Sequence, residues 1–432
     1  MLRAFEIKLY PNSGQKKYLA TAFGCYRKVY NICLQKSIDE YKNGNSFCNL
    51  KQLTNFFHQE LLKDEQFYYL TEHNTKILKD SIKNLTKAFN SFFNNYKKGV
   101  GYPNFKKRND KQTLGIYDEA FSKKVFYKQN FMFISKNFGE IKYKCSPEYK
   151  KIIQEYRDEI KRITIVKNKS GEYFAKVLMD YKGTKQKEKN TNITAIDLGI
   201  KNFLISSEAE IVENKKFMQK EEKKIKKLQR SLDRKLLVKT DKTYFNNKYQ
   251  KDVVIKVPSK NREKARIKLA KKHQKVRNRK KNFLHIVTNS LINDNQVNIM
   301  EDLDVKSMLK NKQLSKSIQE MNWGEFKTML TYKSIFYDRT LVKVDKFFPS
   351  SKKCSECDYI KNDLKLEDRE WTCPECNTHH DRDYNSTINL IIEGLNILIG
   401  NCCPEFKLGE INKENRVETL KSMYWSLTQE EK

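Results

Sequence analysis

No run of about 18 apolar residues occurs anywhere in the 432-residue chain, so no membrane-spanning helix is expected. The first residues, MLRAFEIKLYPNSGQ, alternate apolar and polar side chains without a long apolar segment, so no secretory signal is expected either. Apolar residues are scarce, at 38%, which allows several modest cores rather than one large one. General disorder is excluded by 25 Phe and 23 Tyr, since disordered chains are poor in aromatics. Acids are the deficient class: 53 Asp plus Glu stand against 86 Lys plus Arg, a net charge of +33. A bare chain this one-sided repels itself, which points to a polyanionic partner, with nucleic acid first. A membrane surface fits less well, because basic anchors are local rather than chain-wide. The length suggests two to four domains, and no internal repeat is present.

Residues 1–10 alternate at Phe5, Ile7 and Leu9 and read as a strand stopped by Tyr10-Pro11. A helix is expected from Ser13, with Leu19, Phe23, Tyr26, Tyr30 and Cys33 at helical spacing, ending near Gly44. A second runs from about Asn74 to Lys98, with Leu78, Ile82, Leu85, Phe89, Phe92 and Tyr96 inward and Gly99 as its stop. Its other face carries Lys76, Lys79, Lys83 and Lys87, either a solvated face or a nucleic-acid face. Over 114–182 short alternating stretches and the turn Asn168-Lys169-Ser170-Gly171 predict a small β-barrel or sandwich, completed by the first strand. The helices between would be an insertion into it, and the polar stretch 183–190 a linker. Residues 215–283 hold 27 Lys plus Arg against 6 Asp plus Glu, a net +21. Two basic helices are expected there, Lys223 to Lys235 and Arg262 to Lys281, joined by a polar connection over 240–260. Charge this one-signed favours phosphate binding over a solvated hairpin. The tail after Cys403 is polar.

Of the ten cysteines, Cys25, Cys33, Cys48, Cys145, Cys402 and Cys403 show no metal-ligand spacing and read as buried or inert thiols of a reducing, cytoplasmic compartment. The other four form Cys354-x2-Cys357 and, fifteen residues on, Cys373-x2-Cys376. Two such knuckles fit a tetrahedral zinc site, and four thiolates close the coordination sphere, which makes the ion structural. Asp358 and Asn377 follow the pairs and tolerate the left-handed backbone that such turns need. His379 and His380 lie just beyond, and the site does not need them.

Three acids stand out by their surroundings. Asp197 ends the apolar run Ile193 to Ile196, with Gly199 allowing a turn and Phe203 to Ser206 a returning strand. Glu301 follows Val297-Asn-Ile-Met300, a second short stretch that reads as a buried strand ending in an acid. Asp383 directly precedes a helix with Ile388, Ile391, Leu395 and Leu398 at helical spacing. Each alone is more simply a cap or turn residue. Together they match the carboxylate set that two-metal phosphodiester hydrolysis needs around a pair of hard cations, Mg2+ or Mn2+.

The order IDLGIKN (Ile196–Asn202), IMEDLDV (Ile299–Val305) and FPSSKKCSEC…WTCPEC…HDRDYNSTINL resembles TnpB. These are the RNA-guided nucleases encoded by bacterial insertion sequences, similar to the compact type V CRISPR effectors. The N-terminal IKLYPNSGQKKYLATAFGCYRKVYN and YPNFKKR (Tyr102–Arg108) also look like the family, so the likeness covers nearly the whole chain. It implies a multidomain fold of the α/β plus β-barrel class: a RuvC-like nuclease domain of the ribonuclease H fold (192–348 and 381–403, including the basic hairpin 215–283), with a zinc ribbon (349–380) inserted before the third acid. A wedge β-barrel (1–10 and 114–182) would carry a helical recognition domain (11–113), with a linker at 183–191 and a polar tail at 404–432. Asp197, Glu301 and Asp383 align with the three catalytic, metal-binding acids. Asp383 is chosen over Asp381 because the family's acid lies two residues before an Asn, here Asn385. The chain departs from the pattern with Asp358 and Asn377 where Gly is common, with Ser386-Thr387 in place of two Ala, and with a long stretch at 240–260.

The expected activity is cleavage of double-stranded DNA chosen by pairing with a bound guide RNA derived from the transposon end, beside a short motif that the protein itself reads. Lys76 is the foremost candidate for that reading, with Asn84 behind it. Arg277 and Arg279 would engage RNA or heteroduplex backbone, and Arg382 the scissile phosphate or a neighbouring acid. One structural Zn2+ and two Mg2+ (or Mn2+) ions are implied, as are a monomer, no membrane, and association with the nucleoid when DNA is bound. An RNA-guided regulator without cleavage would be expected to lack an acid. A transposase of the same fold would need ordered transposon ends. A zinc-ribbon RNA-binding protein would leave Asp197 and Glu301 as accidental strand ends.

Overall fold

In the computed structural model of the chain, residues 2–108, 112–117, 125–126, 128–135, 138–182, 187–246, 251–365, 367–402 and 415–430 are described, with backbone alone at 98, 239–246, 251–256 and 429–430. They fall into two bodies, Met1–Lys182 with Arg266–Lys271, and Gly183–Ala265 with Lys272–Lys432.

In the first body, β1 (Leu2–Tyr10) buries Phe5, Ile7 and Leu9 on one face, as period-2 alternation requires. Asn12 then starts α1 (Ser13–Lys42) with a capping box: its side chain accepts the Gln15 N–H at 2.8 Å, and the Gln15 side chain accepts the Asn12 N–H at 3.0 Å. Next come α2 (Leu50–Phe56) and α3 (Thr75–Asn95), the latter capped by Asn74 and followed by one 3-10 turn. Gly99, at φ +80°, closes that turn in the left-handed region. The chain continues through β2 (Gln112–Tyr117), β3 (Phe131–Ser135), β4 (Gly139–Lys144), α4 (Pro147–Glu155), β5 (Ile160–Lys167) and β6 (Tyr173–Asp180). The six strands form one antiparallel sheet in the order β2-β5-β6-β1-β4-β3, so β1 does complete the sheet and α1 to α3 are inserted into it. The expected barrel is a half-barrel: among the described residues no pairing joins the edge strands β2 and β3. The turn at 168–171 joins β5 to β6, with Gly171 at φ +85°.

Seating α3 on β2 depends on a missing side chain. A Cβ at Gly115 would lie 1.9 Å from Asp80 Oδ2. Asp80 is buried, takes a 2.9 Å ion pair from Arg162, and accepts hydrogen bonds from the Tyr26 hydroxyl and the Asn84 amide. A buried carboxylate is tolerable only with such partners.

The second body is built on β7 (Ile193–Asp197), β8 (Asn202–Ser206) and β9 (Ile211–Glu213), continued after a long excursion by β12 (Val297–Glu301) and β13 (Thr340–Val344). The excursion consists of α5 (Phe217–Asp233), a two-stranded ribbon of β10 (Leu237–Asn246) and β11 (Lys251–Pro258), and α6 (Lys260–Asp294). Sheet order is β13-β12-β7-β8-β9, with β12 parallel to β13 and β7, and β7-β8-β9 antiparallel. Ahead of β13 lie α7 (Val305–Met308), α8 (Ser315–Met321) and α9 (Trp323–Phe336). After it come the short pair β14 (Glu370–Thr372) and β15 (His379–Asp381), then α10 (Arg382–Cys402) and α11 (Arg416–Glu430).

β7 and β12 are buried along their length because both faces of the sheet are covered, and each includes one buried polar side chain, Thr194 and Asn298. On one face Ile196, Met300, Phe203 and Leu204 pack with Leu284, Val287 and Leu291 of α6 and with α8 and α9. On the other, Ile193, Ala195, Val297, Ile299, Val342 and Val344 pack with Leu390, Ile391 and Leu395 of α10 and with Leu420 and Tyr424 of α11. A Cβ at Gly394 would lie 2.5 Å from Ile299 Cγ2, so this glycine sets the closeness of α10 to β12.

Two expectations change here. Residues 240–260 are mostly strand, not a polar connection, and the β-branched run Val253-Val254-Ile255 is the signal that favours it. The polar tail contains a helix, α11, which buries Leu420 and Tyr424, and its Trp425 indole donates to the Thr191 carbonyl at 3.0 Å. Among the described residues no helix is long and apolar enough to cross a membrane.

Candidate active site and cysteine cluster

Strand register brings the first two acids side by side. Ile196 pairs with Met300 in the parallel β7–β12 ladder, so Asp197 and Glu301 follow at adjacent strand ends. Side chains alternate faces along a strand. Ile193 and Ala195, like Val297 and Ile299, face α10, so Asp197 and Glu301 continue that same face. Asp383 lies in the first turn of α10. Asp381, at the position before the helix, has its carboxylate occupied as a cap, accepting the Tyr384 N–H at 2.9 Å.

Asp197 interacts electrostatically with each of the other two acids. Burial raises the Asp197 carboxyl to about 6, the negative charge of Asp383 adds to this, and the Leu198 N–H and the Arg382 charge partly oppose it. Burial likewise raises Glu301 to about 7, reinforced by the charges of Asp197 and Asp345. Asp383 is also drawn toward Arg369, at 3.6 Å. Asp345, immediately after β13, escaped the reading of the sequence, although Val342-Lys-Val-Asp345 repeats the strand-then-acid pattern of the other two.

The four cysteines gather with their Sγ atoms all within 4.8 Å of one another, a group that could hold a metal ion. Each knuckle uses the same backbone bonds: Asp358 N–H to the Cys354 carbonyl at 3.1 Å and Asn377 N–H to the Cys373 carbonyl at 3.0 Å. Asp358 (φ +67°) and Asn377 (φ +56°) occupy the left-handed region, as expected of residues standing where Gly is common. Asp358 does more than a glycine could: it pairs with Lys353 at 2.8 Å and with Arg416 of α11 at 3.0 Å. Cys354 and Cys373 are buried, and burial raises the Cys354 thiol, whereas hydrogen bonding with the Thr378 hydroxyl and backbone lowers Cys376 to about 6. His380 is closer to this chemistry than its sequence position implied. It is buried, with Nε2 3.0 Å from Cys354 Sγ and its ring against Trp371. Of the other thiols, Cys25, Cys33 and Cys48 are buried, Cys145 is half-buried and Cys402 is exposed, while Cys403 lies outside the described residues.

The nucleic-acid candidates are spread over both bodies. Lys76 is exposed in the first turn of α3. Asn84 is half-buried, and its amide is engaged internally: Nδ2 donates to the Tyr26 hydroxyl and to Asp80, and Oδ1 accepts from Arg162 at 3.4 Å. Arg277 and Arg279 are exposed on α6, with Arg279 3.4 Å from Glu221 of α5. Glu221 also pairs with Lys272 at 2.6 Å, which holds α5 to α6. Arg382 donates to the Lys365 carbonyl at 2.7 Å, bracing the ribbon against the start of α10.

Three family profiles match in succession: a helix-turn-helix domain over residues 1–46, a probable transposase over 176–312, and a Cas12f1-like TNB domain over 323–390. The first span holds one strand and a single continuous 30-residue helix up to Lys42 rather than two helices. A Streptomyces pristinaespiralis protein named as an RNA-guided DNA endonuclease is 30% identical over 397 residues, 91% of this chain and 89% of that one. InsQ of Escherichia coli K12, named likewise, is 22% identical over 98% of this chain and 99% of its own length. The solved mini-RNA-guided endonuclease CRISPR-Cas_phi3 shares the fold, with TM-score 0.50 at 9% identity, over 90% of this chain and 92% of that one. Fold and site together define a mixed α/β protein in which strand-borne and helix-borne carboxylates approach one another next to a four-cysteine ribbon. The chain belongs to the TnpB family.

Proposed function

We propose that the chain is an RNA-guided DNA endonuclease that hydrolyses phosphodiester bonds at the Asp197, Glu301 and Asp383 site of a RuvC-like domain. The observation that carries this is electrostatic: the charge of Asp383 acts on Asp197 and that of Asp197 on Glu301, and burial together with this repulsion holds Asp197 and Glu301 far above ordinary carboxylate values. Carboxyls held above their ordinary values by burial and like charge are stabilised in the ionised form by a bound cation. The donors are all oxygen, which suits Mg2+ or Mn2+. Asp197, Glu301 and Asp383 would hold two such ions, which would supply activation of the attacking water and charge stabilisation at the leaving oxygen. The protein's own contribution is rigidity. Two donors stand on parallel strand ends and the third on a helix fixed by Gly394 packing, so the carboxylates need little reorganisation around the phosphate.

The cysteine cluster suits one structural Zn2+, with soft thiolates as its donors. Its place directly before α10 makes it a brace for Asp383. The half-barrel with its helical insertion takes the role of wedge and recognition domain, with Lys76 reading the motif beside the target. Arg277 and Arg279 of the basic excursion contact the backbone of a guide RNA from the transposon end or of its heteroduplex. The protein acts as a monomer in the cytoplasm. To test this, the protein is purified from cells carrying its own locus, the RNA that accompanies it is sequenced, and DNA matching that RNA is offered with randomised flanks. Mg2+-dependent cuts confined to matched DNA beside one flank are expected. Absence of bound RNA, or cutting indifferent to the match, would overturn the proposal.

A further inference from the structure

The loop after β13, a strand whose last residue, Val344, pairs with Glu301, puts an aromatic ring into solvent. Phe347 is 81% exposed, the most of any large apolar side chain among the described residues. Its neighbour Phe348 does the opposite and packs against the core shared by β7, β12, β13 and α10. One side-chain and one backbone hydrogen bond fix the loop: Asp345 Oδ1 accepts the Phe347 N–H at 2.8 Å, and the Asp345 carbonyl accepts the Phe348 N–H at 3.0 Å. Asn389 of α10 donates to the Ser350 carbonyl at 2.9 Å, tying the loop to the helix that carries Asp383. The ring is therefore presented by a tied loop, not left on a loose end. Lys346 sets its ammonium 4.7 Å from the ring centroid. Asp345, which holds the Phe347 amide, directly follows Val344, the register partner of Glu301 in the parallel β12–β13 ladder. A ring held by a tied backbone, with a cation beside it, presents a flat apolar face and a positive charge together at the end of the strand that neighbours Glu301.

We propose that Phe347 is a stacking platform for an unpaired base of the DNA strand presented to the carboxylates, with Lys346 on an adjacent phosphate. This rests on the nuclease reading above. A flat apolar face beside a cation complements a base beside its phosphate, and such stacking tolerates any sequence. An apolar protein partner fits less well, because the ring is flanked by exposed Asp345 and Lys346 rather than by an apolar patch. Phe347 is thus a positioning residue that holds the strand while the acids act on its backbone.

The test uses the full-length, RNA-loaded protein. In an Asp383→Asn background, single-stranded DNA carrying 2-aminopurine at successive positions is bound and its fluorescence read. Quenching at one position is expected, and Phe347→Ala should abolish it, Phe347→Trp keep it, and Phe347→Leu fail to restore it. With Asp383 intact, Phe347→Ala should lower kcat/KM on unpaired strands roughly five- to hundredfold, with an unchanged melting temperature and with Trp restoring the rate. Quenching that is the same with and without the Phe347→Ala substitution, or full function with Leu, would overturn the proposal. Failure of the unmodified protein to cut any DNA would instead overturn the nuclease reading, because the fluorescence signal judges stacking independently.

Discussion

Replacing Glu301 by Gln removes a carboxyl that the fold holds at about 7 against an ordinary 4.5. The sign follows from proton counting. Between those two values the folded state binds more protons than the unfolded one, so stability falls as pH rises across the window and the loss is complete above pH 7. The shift corresponds to about 3 kcal/mol at pH 8, and to under about 1 kcal/mol at pH 5. Part of it is repulsion shared with Asp197 and is counted once for the pair. Glu301→Gln should therefore stabilise the protein at pH 8 by roughly 2–3 kcal/mol and change little at pH 5. The assay is urea unfolding at both pH values in buffer that holds zinc but no Mg2+ or Mn2+. Added Mg2+ should then stabilise the wild type more than the variant, because only the wild type keeps all three acids. Identical pH slopes for the two proteins, or a variant less stable at pH 8, would refute the electrostatic account of the site.

Three further outcomes follow from other parts of the molecule. The ribbon's buried apolar core contains little beyond Cys354, Leu364, Trp371 and Cys373, so Cys354→Ser should unfold residues 349–380 and cost at least about tenfold in cleavage, seen as lost hydrogen-exchange protection at the start of α10. Gly394→Ala drives a methyl against Ile299 and should cost about 1–3 kcal/mol in thermal unfolding, with partial rescue by Ile299→Ala; an additive double mutant would refute the contact. RNA affinity should fall steeply with salt, and Arg277→Ala should lower the slope of log affinity against log salt by about 1, whereas an unchanged slope would remove Arg277 from the interface.

Much of this was legible in the sequence because the signals were local. Pro11, Asn74, Gly99 and the 168–171 turn each declare a chain reversal or an element's end through backbone chemistry. The Cys-x2-Cys pairs state their own geometry. The approach of Asp197 to Glu301 was harder, since it depends on the parallel pairing of strands about a hundred residues apart, which no window of sequence contains. What escaped the sequence lay in tertiary context. Asn84 looked like a polar helix-face residue until Tyr26, Asp80 and Arg162 were brought around it. His380 looked redundant until β15 turned it onto Cys354. The pair of strands at 237–246 and 251–258 was hidden by its lysines, which lower mean hydropathy while the β-branched residues keep their strand propensity.

The most direct test of the central claim is cleavage of RNA-matched double-stranded DNA by Asp197→Ala, Glu301→Ala and Asp383→Ala, each purified with its RNA. All three should lose Mg2+-dependent cutting while RNA affinity stays at the wild-type level. Undiminished cutting by any one of them would contradict the assignment of these acids to a single metal-dependent nuclease site.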